Sequence, residues 1–245
     1  MSKKKIVVFS GAGLDRESGV LTFRDCVDGL WNNHKIEDVA TPEGWAKDPA
    51  KVLEFYNERR RQMPEVVPNG AHTALAELEN KYEVIHVTQN VSDLLERAGA
   101  STVYHLHGEL TKVRASKPKL KSFNNPVGLK DIGYADVNIG DLSEENGEQL
   151  RPHIVWFSEY PEYTTQAARA IEKADILIIV GTSLNIGYTL PLLAQANTIM
   201  GENKCKAYYI DPEPSRALDN YDMVITYLKK PAVEGVRQLV NELLA

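Results

Sequence analysis

The stretch KIVVFSGAGLDRESGVLTFRD, residues 5–25, decides how the rest of the chain is read. Four apolar residues, Ile6-Val7-Val8-Phe9, run straight into Ser10-Gly11-Ala12-Gly13. An unbroken apolar run closed by a Gly-x-Gly turn suits the first strand of a parallel sheet covered on both faces. Lacking a Cβ, glycines at 11 and 13 let backbone N–H groups approach a pyrophosphate, although an ordinary tight turn carries the same pattern. The third glycine of the usual dinucleotide fingerprint is missing at its expected offset.

Outward from this stretch, strand-like and helix-like segments alternate. Helical spacing covers 45–62, 72–81, 93–98, 163–174, 190–196 and the end of the chain to Leu244. Strand patterns cover 84–88, 103–106, 154–157, 176–180, 207–210 and 223–226. Such alternation implies an α/β fold with a doubly wound, Rossmann-like parallel sheet, whose ligands bind beyond the carboxyl ends of the strands. Residues 25–44, rich in Asp, Asn and Gly, read as a long loop of the kind that covers a binding site. From 108 to 150 the character changes: Lys112, Arg114, Lys117, Lys119 and Lys121 form a basic run, followed by Asn/Pro/Gly-rich and then acidic sequence. That segment reads as a small insertion domain with a solvated basic face. The expected division is a large domain of residues 1–44, 82–107 and 151–245, and a small domain of 45–81 and 108–150.

Composition narrows the function. The 245 residues are 43% hydrophobic and 25% charged, as in ordinary soluble domains. A net charge of −6 argues against nucleic acid as a partner. No apolar run reaches membrane-spanning length, and the opening Met1-Ser2-Lys3-Lys4-Lys5 lacks a secretory h-region, so the expectation is a cytoplasmic protein without a membrane partner. Cys26 and Cys205 are the two cysteines, and they cannot build a Cys₄ zinc site.

Several side chains suit particular chemistry. His107, before Gly108, could take a proton from a ribose hydroxyl, with His105 as the rival candidate. Asp211, after a strand, suits ribose hydroxyls or the start of a turn before Pro212. Gly181-Thr182-Ser183 ends another strand with small hydroxylic residues, as a phosphate or ribose site or as a helix cap.

Glu17-Ser18-Gly19, Thr22-Phe23-Arg24-Asp25, Thr88-Gln89-Asn90-Val91, His105-Leu106-His107-Gly108, Val155-Trp156-Phe157, Gly181-Thr182-Ser183-Leu184 and Ile210-Asp211-Pro212-Glu213-Pro214 together resemble the sirtuins. These are NAD-dependent protein-lysine deacylases, and the motifs hold their order over nearly the whole chain. The resemblance implies NAD as cofactor and an acyl-lysine protein or peptide as partner. In that family the acyl oxygen attacks C1′ of the nicotinamide ribose, nicotinamide leaves, and a histidine activates the ribose for acyl transfer. The resemblance assigns catalysis to His107 and Asn90. It assigns cofactor binding to Gly11, Ala12, Gly13, Phe23, Arg24, Gln89, Asn90, Ser92, Gly181, Thr182, Ser183 and Asp211. Val155, Trp156 and Phe157 resemble the edge where substrate peptide adds as a strand. Tyr56 and Arg59 resemble the Tyr-x-x-Arg pair of sirtuins that remove succinyl and malonyl groups, Arg offering two donors to a distal carboxylate and Tyr a third.

The chain also departs from that family. Asp15 stands where serine is usual, Ser92 where an aspartate is usual, Leu95 for a common histidine, and Ser158 for a glycine. Gly187-Tyr188-Thr189 differs as well, and no zinc cysteines follow His107, so no structural zinc is expected. These changes leave open a sirtuin-fold NAD glycohydrolase or ADP-ribosyltransferase, or an inactive NAD-binding module.

Overall fold

A computed structural model describes residues 3–20, 30–31, 34–116, 126–197, 205–221 and 223–245. The chain opens with β1 (Lys5–Ser10), whose Ile6, Val7, Val8 and Phe9 are fully buried, and turns at once into the short α1 (Ala12–Asp15). A small hairpin, β2 (Leu30–Trp31) and β3 (His34–Lys35), leads to α2 (Ile36–Val39), α3 (Pro42–Lys47) and α4 (Pro49–Gln62). Residues 36–39 and 42–44, which read as loop, are therefore helical. The helix expected over 45–62 is two helices, broken where Asp48 caps α4 through a hydrogen bond from the Lys51 amide (3.0 Å). Proline at the first position of α3 and of α4 needs no N–H partner there.

Next come α5 (Gly70–Glu77), β4 (Glu83–Thr88), α6 (Leu94–Arg97) and β5 (Val103–His105). Then β6 (Gly108–Ala115), β7 (Lys130–Asp131) and β8 (Leu150–Ile154) form an antiparallel sheet in the order β7-β6-β8. The chain closes with α7 (Thr164–Glu172), β9 (Ile176–Val180), α8 (Thr189–Leu193), β10 (Lys206–Ile210), β11 (Ile225–Leu228) and α9 (Ala232–Leu244).

The large sheet runs β11-β10-β9-β1-β4-β5, every neighbouring pair parallel. Winding leaves β1 toward β4 and β5, then returns to its other side for β9, β10 and β11. The strand order therefore reverses between β1 and β9, the place where such sheets bind ligands. Successive residues of a strand face opposite ways. Ile6, Val8, Ile176 and Ile178 pack with Leu75 and Leu78 and with Val236, Leu239 and Val240 of α9. On the other face Val7, Phe9, Leu177 and Ile179 pack with Ala167, Ala170 and Ile171 of α7 and with Leu192 and Leu193 of α8.

Helix α5 packs on the large sheet, its Ala71, Ala74 and Leu75 sharing the core of Ile6 and Val8. The strand expected over 154–157 ends at Ile154 instead, and it is β8 of the small sheet. Ion pairs tie this sheet to the segment after it. Glu159 takes Arg151 at 2.7 Å and Arg114 at 3.2 Å, and Arg114 reaches Glu162 at 3.2 Å. The Arg151 guanidinium also lies 3.4 Å from the centre of the Trp156 ring. No cluster of three metal-ligating side chains, and no helix long and apolar enough to cross a membrane, occurs among the described residues.

Candidate active site

A cleft of about 480 Å³ opens at the carboxyl ends of β4 and β5, between the large sheet and α4. Its size suits a small-molecule site. From the sheet it is lined by Ala12, Asp15, Gln89, Asn90, Ser92 and His107; from α4 by Tyr56 and Arg59; from the segment after β8 by Val155, Trp156 and Phe157. The loop before α8 contributes Ile186 and Tyr188.

The two histidines beside the cleft separate cleanly. His105 is buried, Nδ1 against the Asn90 carbonyl and Nε2 against Glu96 Oε1, both at 2.8 Å. Burial pulls its pKa down, but Glu96 outweighs this and the group ends above its ordinary value. His107 instead faces the cleft, its Nε2 2.7 Å from the Tyr188 hydroxyl. Burial pushes His107 down to about 4, only partly offset by a hydrogen bond with the Gln89 backbone. The Tyr188 phenol is pushed up by burial and stays protonated at neutral pH. The Gln89 backbone contact favours the protonated ring, so a ring N–H donates there; with Nε2 facing Tyr188, that N–H is Nδ1 and the phenol donates to Nε2. Tyr188 carries no motif beyond the altered residues after Gly181-Thr182-Ser183, so only the fold brings it to His107.

Asp15 turns inward. Its side chain is buried, Oδ1 accepting from Asn90 Nδ2 (2.7 Å) and His72 Nε2 (3.1 Å), Oδ2 from Ser92 Oγ (2.6 Å). Asn90 Nδ2 also donates to the Gly11 carbonyl (3.1 Å). Asp93, next to Ser92, points away and accepts from the Tyr134 hydroxyl.

The Gly-x-Gly turn works differently from its sequence reading. The Gly11 N–H donates to the Val180 carbonyl (3.1 Å) and the Gly13 N–H to the Gly181 carbonyl (2.8 Å). A Cβ on Gly13 would stand 2.6 Å from Gly181 Cα. These glycines let the turns after β1 and β9 interlock, and their amides are spent in doing so. Ala12, between them, reaches the cleft. Thr182 Oγ1 donates to Gln89 Oε1 (2.7 Å), and Gly181 adopts φ +62°, which favours glycine. Gly181, Thr182, Ser183 and Asp211 lie at the carboxyl ends of β9 and β10, beside the cleft but outside its lining. Asp211 is buried and Oδ1 accepts from the Glu213 amide (2.9 Å), a turn closed by the aspartate itself. Phe23 and Arg24 fall outside the described residues.

The segment after β8 departs from a free strand edge. The Val155 amide donates to the His107 carbonyl (2.9 Å), Trp156 to Glu159 Oε2 (2.9 Å) and Phe157 to the Ala40 carbonyl (3.0 Å). Strand addition there cannot use these donors. Trp156 is packed in the core and its Nε1 donates to the Tyr56 hydroxyl (3.2 Å), whereas Phe157 is half exposed.

On α4, Arg59 stacks over the Phe55 ring, 3.2 Å from its centre, and donates to the Phe55 carbonyl. Burial lowers Arg59 to about 10, still charged at neutral pH, and raises Tyr56 to about 12. An amide pair, a hydroxyl and a neutral imidazole around one cleft, with a cation on α4, fit the ribose and carboxamide of a nicotinamide dinucleotide.

The Sir2 family model matches residues 11–187. The chain belongs to the Sir2 family. Among curated sirtuin relatives, the NAD-dependent protein deacylase of Helicobacter pylori is 44% identical over 241 residues, covering 98% of each chain. That of Bacteroides thetaiotaomicron is 46% identical over 245 residues, again 98% of each. Of solved sirtuin structures, a Sir2 homologue bound to NAD superposes with a TM-score of 0.79 at 33% identity, over 99% of this chain and 90% of that one. A mutant Sir2 homologue with ADP-ribose gives 0.81 at 34%, over 99% and 92%.

Proposed function

We propose that this sirtuin is an NAD-dependent protein-lysine deacylase that releases nicotinamide and forms O-acyl-ADP-ribose. The observation that carries this reading is the neutral His107 imidazole, its Nε2 presented to a cleft at the sheet's reversal point. Bound NAD supplies the C1′ electrophile and its nicotinamide leaving group. The chain's own work is to hold that ribose with Gln89 and Asn90, to accept a ribose hydroxyl proton at His107 Nε2, and to exclude water with Val155, Trp156 and the α4 face. The full similarity in length to the named deacylases supports the same reading.

The acyl group is a finer question, and we infer a preference for succinyl or malonyl lysine. Tyr56 and Arg59 lie one helical turn apart on α4 and both line the cleft. Arg59 stays charged at neutral pH and its guanidinium is anchored by the Phe55 ring, so a carboxylate on the acyl chain would meet a fixed cation. The test is nicotinamide release from NAD with acetyl-lysine peptide, succinyl-lysine peptide or none. Faster release with succinyl peptide is expected, with Arg59→Met lowering kcat/KM for that peptide alone by roughly 10- to 100-fold. Equal loss on both peptides would remove the acidic-acyl preference, and release without peptide would replace the deacylase by an NAD glycohydrolase.

A further inference from the structure

Three donors converge on the Asp15 carboxylate: Asn90 Nδ2 at 2.7 Å, Ser92 Oγ at 2.6 Å and His72 Nε2 at 3.1 Å. The His72 proton is placed by geometry, because its Nδ1 accepts from the Asn69 amide (3.2 Å) and so Nε2 must carry the hydrogen. Asn90 is clamped on every other side. Its amide N–H donates to Thr88 Oγ1 (3.0 Å), its carbonyl takes His105 Nδ1 (2.8 Å), and Nδ2 donates also to the Gly11 carbonyl (3.1 Å). With both Nδ2 hydrogens spent on Asp15 and Gly11, the polar atom that Asn90 still offers to the cleft is the acceptor Oδ1. Only a carboxylate meets three converging donors without bringing a donor of its own.

We propose that Asp15 and Ser92 act as one carboxylate–hydroxyl pair that sets the face Asn90 shows to NAD, making Asp15 a positioning residue for cofactor binding. An apolar side chain at position 15 would leave Asn90 Nδ2, Ser92 Oγ and His72 Nε2 without their shared acceptor, and the Asn90 amide would be held by the Gly11 carbonyl alone. Because the two partners touch at 2.6 Å, the pair should work with its members exchanged, as Asp15→Ser with Ser92→Asp. Ser92→Asp alone sets two carboxylates against each other, and Asp15→Ser alone shortens the acceptor that Asn90 Nδ2 and His72 Nε2 share.

The proposal rests on NAD as the ligand, independently of the acyl preference, and its test needs no turnover. NAD affinity is measured by calorimetry for the wild type, Asp15→Leu, Asp15→Ser, Ser92→Asp and the double exchange, each with a melting temperature. Asp15→Leu and Ser92→Asp should weaken NAD binding roughly tenfold, and the double exchange should return to within about threefold of wild type. If Asp15→Leu is too unstable to measure, Ser92→Asp read against the double exchange decides the question. Unchanged affinity in the single variants, or a double exchange no better than Ser92→Asp, overturns the pair while leaving NAD as the cofactor. A wild type that fails to bind NAD overturns both.

Discussion

His107 can serve as a base only while its ring is neutral, and burial keeps it so by lowering its pKa to about 4. In the free enzyme the base form therefore persists well below the ordinary imidazole range. The expected pH profile of kcat/KM for nicotinamide release is flat from pH 8 to about pH 5, and an acid limb with its midpoint near 6.5 would show an unperturbed ring. The Tyr188 hydroxyl on Nε2 occupies the lone pair that must accept the substrate proton. Breaking that one neutral hydrogen bond costs about 1 kcal/mol, so Tyr188→Phe should raise kcat/KM for NAD about two- to fivefold. A fall of tenfold would instead mean that the phenol holds the imidazole in its working orientation.

Among the elements, the segment from β8 to α7 carries a backbone feature with a measurable consequence. Ser158 has φ +70°, in the left-handed region that non-glycine residues enter at a cost of about 1–2 kcal/mol. Glycine would meet that geometry freely. Ser158→Gly should stabilise the protein by about 1 kcal/mol in chemical unfolding, after the extra freedom of glycine in the unfolded chain is subtracted. No gain would mean that the serine side chain contributes enough to offset its backbone. The same segment shows why residues 154–157 resist assignment from sequence. Their apolar run suits a strand, but its amides after Ile154 are claimed by His107, Glu159 and Ala40.

Across the whole molecule, buried histidines set the response to acid. Burial holds His86 and His107 at about 4 and His153 at about 3, against 6.5. Between those values the unfolded chain binds the protons and the native state does not, so stability is lost as pH falls from about 6.5. His105, raised by Glu96, works the opposite way and loses its contribution as pH rises, but it is one group against three. Glu159, where Arg151 and Arg114 outweigh burial and hold the carboxyl below its usual value, adds a further loss below about 4.5. The melting temperature should therefore drop by roughly 5–10 °C between pH 7 and pH 5. A constant or rising value in scanning calorimetry would contradict this balance.

The parallel sheet was legible in the residues because its strands are local patterns: Ile6-Val7-Val8-Phe9 and Ile176 to Val180 are apolar throughout, as strands covered on both faces must be. The strand patterns at 84–88 and 103–106 likewise placed Gln89, Asn90 and His107 at strand ends. The use of Gly11 and Gly13 was not legible, because a glycine that frees an amide for phosphate and one that admits a neighbouring turn look alike in sequence. Nor was the Asp15–Ser92 contact, since residues 77 positions apart meet only when β1 and β4 pair. Tyr188 on His107 is the same case over a separation of 81. Sequence alone determined what depends on neighbours along the chain, namely the strands, the alternation and the motif residues. The tertiary structure decided which polar groups face one another across the cleft, because hydrogen bonds are made in space and depend on a few tenths of an ångström that no local pattern encodes.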